Sequence, residues 1–282
     1  MSAKFGPAGN AADFPYKASE KAPAWIAQQG LDCYEYQCGK GVHVGQETAR
    51  RIGVAAQQAG IPLSLHAPYF INLANPDRES QKRTIGYITS ACQVADWMGA
   101  RRVIIHSGAL MGRTRRQAMD IALPALRDVL AACDDSGFGH IALCPETMGK
   151  INQLGDLDEV LELCQLDKRL VPCIDFGHLY ARSLGRDDGE EATARMLDQV
   201  AAALGQDRAS RFHSHFSHIE FTLRGGEKCH RTFEDDGGYG PDWTPLARQV
   251  ALRDWSPTFI CESAGTQARD AREMKRIYQE FL

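Results

Sequence analysis

Residues 63–76 have the sequence LSLHAPYFINLANP, in which an apolar run ends at a histidine and is followed by a proline and two aromatic residues. A short apolar run before a proline predicts a buried strand that ends at His66. An imidazole at a strand end can bind a metal ion, and the rings of Tyr69 and Phe70 are expected to protrude from the loop that follows. This stretch therefore predicts a functional site rather than ordinary core.

Short β-type runs of this kind alternate with longer amphipathic stretches along the chain, which is typical of a parallel sheet with crossover helices. The predicted strands are residues 3–5, 33–37, 63–66, 102–106, 140–146, 170–175, 211–215 and 258–262. Strand–helix units of this number in 282 residues, without a linker rich in Gly, Ser or Pro, fit one α/β domain. The sequence therefore predicts a single-domain (β/α)8 TIM barrel over residues 1–282.

Two helix signals agree with this architecture. Asp156 is followed by Glu159 at the third helical position, a spacing typical of a capping box. In residues 266–282, four apolar residues recur on one stripe, so this last helix is expected to pack against the outside of the barrel. They are Ala271, Met274, Tyr278 and Phe281.

The carboxyl ends of the strands in such a barrel carry the active site. Six consecutive predicted strands finish in, or directly before, a side chain that binds metals, and these residues are His66, His106, Glu146, Asp175 with His178, His215 and Glu262. A lone histidine at a strand end is more often structural, but six such endings converge on one face. Mixed imidazole and carboxylate ligands suit zinc or manganese, and a cation would offset the repulsion between the acids. The sequence predicts a divalent metal site.

Composition narrows the class of protein. Apolar residues make up 44% and charged residues 24%, and no apolar run reaches the length of about 18 residues that a membrane span needs. The N-terminal residues contain no apolar run of signal-peptide length, so we expect a cytoplasmic protein without a membrane partner.

Net charge alone argues mildly against a nucleic-acid partner, since it is -4. Phosphates respond to the face that they approach, however, and the loops after the predicted strands are rich in basic residues. These residues are Lys40, Arg113, Arg115, Arg116, Lys150, Arg182, Arg186, Arg224, Lys228 and Arg231. The predicted active face is therefore basic, although acidic residues interrupt it.

Four motifs give a resemblance that covers most of the chain. They are HAPYFINLA at 66–74, IHSG at 105–108, PET at 145–147 and IDFGH at 174–178. At these motifs the chain resembles the endonuclease IV family of apurinic/apyrimidinic endonucleases, within the wider xylose-isomerase-like barrel superfamily. The resemblance implies a zinc-dependent hydrolase that acts in DNA repair.

The resemblance also implies a ligand set for three zinc ions. The first ion would take His66, His106 and Glu146, the second Glu146, Asp175, His215 and Glu262, and the third His178 and His230. His213 faces the same side of its strand as His215, but the resemblance selects His215. The family has an aspartate two residues before the last histidine, where this chain has Lys228. Either Glu227 supplies the missing carboxylate from a shifted loop, or the third site is weak, differently built or empty, so two or three ions are expected.

The resemblance implies cleavage of damaged double-stranded DNA on the 5′ side of an abasic site, leaving a 3′-hydroxyl. Glu146 and Glu262 would be the catalytic carboxylates, with Glu262 orienting or deprotonating the attacking water. Tyr69 and Phe70 would enter the base stack, the alternative being that they simply pack beneath a loop. No motif indicates a protein partner, so we expect a monomer.

Two other classes of protein remain open. A sugar isomerase or epimerase on the same barrel would hold one metal ion with Glu146, Asp175, His215 and Glu262. A single-metal sugar enzyme does not need His66, His178 and His230, so the presence of these histidines favours the nuclease. The third class is a metal-binding protein that recognises damaged DNA or a protein partner without cutting.

Overall fold

The computed structural model describes residues 2–282, so Met1, which was included in the predicted domain, lies outside the described residues. The strands of the described residues are β1 (Lys4–Pro7), β2 (Tyr34–Gln37), β3 (Leu63–His66), β4 (Arg102–His106), β5 (Ala142–Glu146), β6 (Cys173–Asp175), β7 (His213–Phe216), β8 (His218–Thr222), β9 (Gly226–Arg231) and β10 (Thr258–Cys261). All eight predicted strands are present, with ends shifted by a few residues.

A parallel eight-stranded sheet forms the barrel, in the order β1-β10-β7-β6-β5-β4-β3-β2. Its two edge strands approach each other, and the amide of Asp32 donates to the Phe5 carbonyl at 2.8 Å. Gly6 permits this approach, because a Cβ atom at that position would lie 1.9 Å from the Cys33 carbonyl oxygen. The predicted TIM barrel is therefore confirmed, with its circle of strands nearly closed.

Helices connect the strands, and most of them cover the outside of the barrel. They are α1 (Ala22–Gln28), α2 (Gln46–Ala59), α3 (Arg78–Met98), α4 (Arg115–Asp135), α5 (Leu157–Cys164), α6 (Phe176–Arg182), α7 (Gly189–Leu204), α8 (Gln206–Ala209), α9 (Trp243–Leu252) and α10 (Gln267–Gln279), with a short 3-10 turn at Ser19–Lys21. Within the described residues, no helix is both long and apolar enough to cross a membrane.

The helix predictions are confirmed at both positions. Asp156 and Glu159 form a reciprocal capping box at the start of α5. The predicted stripe of α10 is buried at Ala271, Met274 and Tyr278, whereas Phe281 follows the end of the helix and is partly buried. The Tyr278 ring lies 5.4 Å from the Phe5 ring of β1, centroid to centroid. The apolar periodicity of these segments therefore identifies the faces that cover the barrel.

The β8–β9 hairpin was not predicted. It is an antiparallel two-stranded sheet between β7 and α9, separate from the barrel sheet. Most residues of its strands are only partly buried, and several carry charged side chains, so the strands lack the continuous apolar runs of the barrel strands. The hairpin brings Glu227 and His230 to the mouth of the barrel.

Candidate metal centre

Glu146, at the end of β5, lies at the centre of the barrel mouth. Its Oε2 atom lies 3.1 Å from Nε2 of His66 and 3.2 Å from Nε2 of His106. Its Oε1 atom lies 2.9 Å from Nδ1 of His215. One buried carboxylate is thus shared by imidazoles from three strands.

Backbone carbonyls orient the first two of these imidazoles. Nδ1 of His66 lies 2.7 Å from the Ala67 carbonyl oxygen, and Nδ1 of His106 lies 2.7 Å from the Tyr69 carbonyl oxygen. A carbonyl oxygen only accepts hydrogen bonds, so each Nδ1 carries a proton and donates it. The Nε2 atom of each ring then faces Glu146 and is available as a metal ligand.

A second group joins Glu146 and His215 with Asp175 and Glu262, with ligand atoms within 4.8 Å of one another. The Oδ1 atom of Asp175 accepts from the His178 amide at 2.7 Å, whereas its buried Oδ2 atom has no hydrogen-bond partner among residues 2–282. Burial raises the pKa of Asp175, and the charges of Glu262 and Glu146 add to this effect while His178 opposes it. A divalent cation would satisfy the unpartnered oxygen and relieve the repulsion, so these residues fit a metal ion.

A third group contains His178, His230 and Glu227. Nε2 of His178 lies 3.5 Å from Oε2 of Glu227, and the two imidazole rings are 5.5 Å apart, centroid to centroid. Nδ1 of His178 donates to the Thr147 carbonyl at 2.8 Å, and Nδ1 of His230 lies 2.7 Å from the Ser217 hydroxyl. The carboxylate beside these histidines belongs to Glu227, not to the residue two positions before His230.

A β-bulge explains why Glu227 faces this group. On β8, Glu220 pairs with Cys229 and the next residue, Phe221, pairs with Glu227, so Lys228 is an extra residue on β9. Residues three apart normally face opposite sides of a strand, and one inserted residue restores them to the same side. Lys228 points away and lies 2.5 Å from Oε1 of Glu220. The lysine therefore does not enter the third group.

The predicted aromatic pair protrudes beside this centre. Tyr69 is 48% exposed and Phe70 43% exposed, in the loop between β3 and α3. The two rings meet edge to face at 6.2 Å, and Phe70 also contacts Tyr87 at 4.8 Å. Tyr69 lines the same cleft as His106. The pair is an exposed apolar projection at the rim of the cleft.

The basic rim is weaker than the sequence predicts. Arg115 pairs with Asp156 and Glu159, and Arg116 pairs with Asp120 and Glu162. Lys228 and Arg231 share the carboxylate of Glu220. Lys150 lies exposed at the wall of the cleft. Ion pairs therefore neutralise part of the positive charge that the sequence placed on this face.

Glu35, on β2, lies beneath the centre and was missed. It is fully buried, and its carboxylate lies 2.9 Å from Nε2 of His213 and 2.9 Å from Nε2 of His215. A glutamate in the middle of a predicted parallel strand was the available signal, since such strands are buried on both faces. His213 thus contacts Glu35 below the mouth. His218 stacks on Phe233 at 4.7 Å, away from the three groups.

This protein is an eight-stranded α/β barrel. Imidazoles and carboxylates gather at its mouth and form a candidate metal centre. The chain belongs to the xylose isomerase-like TIM barrel family, whose profile matches residues 23–280. Members of this superfamily are enzymes. The predicted resemblance is confirmed at this level.

Two relatives show how far the sequence similarity extends. An uncharacterized protein of Methanocaldococcus jannaschii is 29% identical over 279 residues, which cover 98% of this chain and 97% of that one. A protein of Mycoplasma pneumoniae named "Probable endonuclease 4" is 30% identical over 148 residues, which cover 50% of this chain and 48% of that one. The match to this endonuclease thus spans about half the length of each protein.

Solved structures share the fold over nearly the whole chain. Endonuclease IV from Thermus thermophilus has a TM-score of 0.67 at 18% identity, covering 99% of this chain and 98% of that chain. The 3-keto-D-glucoside 4-epimerase YcjR from E. coli has a TM-score of 0.69 at 14% identity, covering 99% and 100%. At these identities the structures establish the fold alone.

Proposed function

We propose that this protein is a metal-dependent phosphodiesterase that hydrolyses the DNA backbone 5′ to abasic sites in base excision repair. The observation that carries the proposal is the surplus of ligand-type side chains at the barrel mouth. His66 and His106 contact Glu146, which also forms a group with Asp175, His215 and Glu262, and a further group contains His178, Glu227 and His230. A single-metal sugar enzyme needs one such group. The similarity to endonuclease 4 proteins supports the same class of substrate.

In this proposal the three groups hold two or three zinc ions, with manganese as an alternative. The first ion would take His66, His106 and Glu146. The second would take Glu146, Asp175, His215 and Glu262, and the third His178, His230 and Glu227. When bound, the ions would neutralise charge on the phosphate and lower the pKa of the attacking water.

The carboxylates have distinct roles in this proposal. Glu146 is held by three imidazoles, so it fixes the relative positions of the ligand groups. Glu262 is more exposed than Glu146, and its Oε1 atom lies 3.6 Å from Nδ1 of His215. Glu262 is therefore the carboxylate that we assign to orient the attacking water and accept its proton.

Incision of a labelled duplex with one abasic analogue tests the proposal. We expect protein loaded with zinc or manganese to cut on the 5′ side of the lesion, leaving a 3′-hydroxyl, and protein treated with a chelator to lose this activity. If folded protein that has bound zinc or manganese does not cut the duplex, the proposed nuclease activity is excluded.

A sugar isomerase or epimerase is the second candidate, because Glu146, Asp175, His215 and Glu262 form one compact group that suits a single ion. Such an enzyme would bind one ion and ignore the duplex. Metal analysis of purified protein, with screens of ketoses and phosphosugars, separates the two candidates. The monomeric state and cytoplasmic location stay predictions.

Replacing Glu227 with Gln is expected to remove one bound ion, because the proposed third site would lose its only carboxylate. Lys228→Gln is the matched control: it changes the adjacent residue, whose side chain points away from the site. Metal content after gel filtration, measured by mass spectrometry, should fall by about one ion in E227Q and stay constant in K228Q. Equal metal content in both variants would show that Glu227 is not a ligand.

A further inference from the structure

A buried carboxylate with four donors lies directly beneath the centre. Oε2 of Glu35 accepts from the Ser64 hydroxyl at 2.7 Å and lies 2.9 Å from Nε2 of His213. Oε1 accepts from the Gln37 amide at 3.1 Å and lies 2.9 Å from Nε2 of His215. A buried charge is costly unless it is fully hydrogen-bonded, and Glu35 meets that condition.

Arg102 determines the direction of these hydrogen bonds. Its Nη1 atom lies 3.4 Å from Nδ1 of His213, and a guanidinium can only donate. Nδ1 of His213 is therefore the acceptor, and its Nε2 carries the proton that is donated to Glu35. Glu35 in turn acts as an acceptor on both oxygens, so Nε2 of His215 also donates to it.

The opposite edge of the His215 ring faces the candidate metal centre. Nδ1 of His215 lies 2.9 Å from Oε1 of Glu146 and 3.6 Å from Oε1 of Glu262. In the other histidines of the centre, the nitrogen away from the ligand group is bound to a backbone carbonyl or to a hydroxyl. Among the described residues of the centre, His215 is thus distinguished by a carboxylate behind its ring.

We propose that Glu35 is a positioning residue that orients His215 and keeps the proton on Nε2, so that Nδ1 is the metal ligand. This inference rests on the proposed metal centre. A carboxylate behind a ligating imidazole fixes its tautomer and increases its basicity, and loss of such a partner typically weakens metal binding about 10- to 100-fold. The network from Arg102 through His213 to Glu35 thus supports the second proposed site from below.

Glu35→Gln tests this role with little change in volume. His213 and His215 contact different oxygens of Glu35, so in glutamine the carbonyl oxygen would face one imidazole and the amide group, which only donates, would face the other. We expect zinc affinity at one site to fall about 10- to 100-fold, measured by competition with a chelator. The d–d absorption of the cobalt-substituted protein should change as well, because the ligand field of His215 changes.

A second substitution should restore binding. In the double variant E35Q/H213L the competing imidazole is absent, so the carbonyl of Gln at position 35 can accept from His215. Arg102 would keep the carbonyl oxygens of Arg211, at 2.8 Å, and Phe212, at 3.5 Å. We expect E35Q/H213L to bind zinc several-fold more tightly than E35Q, a recovery that loss of packing alone does not predict.

Asp270→Asn is the matched control, because Asp270 is a buried carboxylate outside the centre that accepts from the Phe233 amide at 3.1 Å. Its zinc affinity should equal that of the wild type. Folded E35Q with wild-type zinc affinity, or a double variant without recovery, would overturn the proposal. If E35Q does not fold, Ser64→Ala removes one donor to Glu35, and unchanged zinc affinity in that variant would overturn it.

These measurements are separate from the nuclease test. Wild-type protein that binds zinc but leaves abasic DNA uncut would exclude the proposed activity, while the affinity of E35Q would still decide the role of Glu35. Conversely, an active nuclease whose E35Q variant binds zinc normally would exclude only the positioning role.

Discussion

Replacing Glu146 with Gln is expected to reduce metal-dependent incision of an abasic duplex by on the order of 1000-fold. Loss of a residue that merely supports a ligand costs about 10- to 100-fold, and Glu146 itself belongs to two of the ligand groups. Glutamine keeps the shape but removes the negative charge and one acceptor oxygen. Its amide would then face at least one of the imidazoles that contact Glu146.

Single-turnover incision with saturating enzyme is the measurement for E146Q, because it separates the chemical step from DNA binding and product release. Asp270→Asn serves again as the control for loss of a buried carboxylate, and its rate should match the wild type. Melting curves followed by circular dichroism confirm that each variant is folded. A folded E146Q protein that keeps more than about a tenth of the wild-type rate would exclude the shared role of Glu146.

Replacing both Tyr69 and Phe70 with Ala is expected to weaken binding of an abasic duplex by on the order of 100-fold. Base–aromatic stacking contributes about 1–3 kcal/mol per base, and both rings are exposed and free to contact a ligand. Affinity for an undamaged duplex should change much less, since a wedge acts where the stack is already interrupted. Stability should fall only modestly, because about half of each residue is already exposed to solvent.

Fluorescence anisotropy measures this binding. The protein is first treated with a chelator, so that it binds the duplex without cutting it. Leu252→Ala is the matched control: Leu252 is 72% exposed and ends α9, the helix that leads into the amino end of β10, on the face opposite the centre. Its affinity should equal that of the wild type. If the double variant binds abasic and intact duplexes as tightly as the wild type does, the two rings only pack at the rim and do not recognise the lesion.

Much of the candidate centre followed from the sequence. The barrel strands were predicted from their apolar runs, and His66, His106 and Glu146 were expected at one face because parallel strands end on the same side. The structure brings all eight predicted ligands together at that face. The strand prediction succeeded because strand identity and strand direction depend on local periodicity, which a single sequence displays.

The hairpin required the tertiary structure. The resemblance implies a carboxylate at the position of Lys228, and from the sequence a role for Glu227 is only one of several alternatives. The bulge at Lys228 decides which side each residue faces, because one extra residue reverses the alternation of a strand. A bulge depends on pairing with a partner strand, and this pairing is not visible in a local pattern.

The sequence by itself determined the barrel class, the strand ends and the residue types of the candidate metal centre, since each depends on local periodicity and composition. Tertiary structure decided which charges pair, as at Arg115 and Glu159, and which buried residue supports His215. Glu35 and His215 are 180 residues apart in the chain. Contacts of this kind depend on barrel register and side-chain packing, which arise only when distant strands meet.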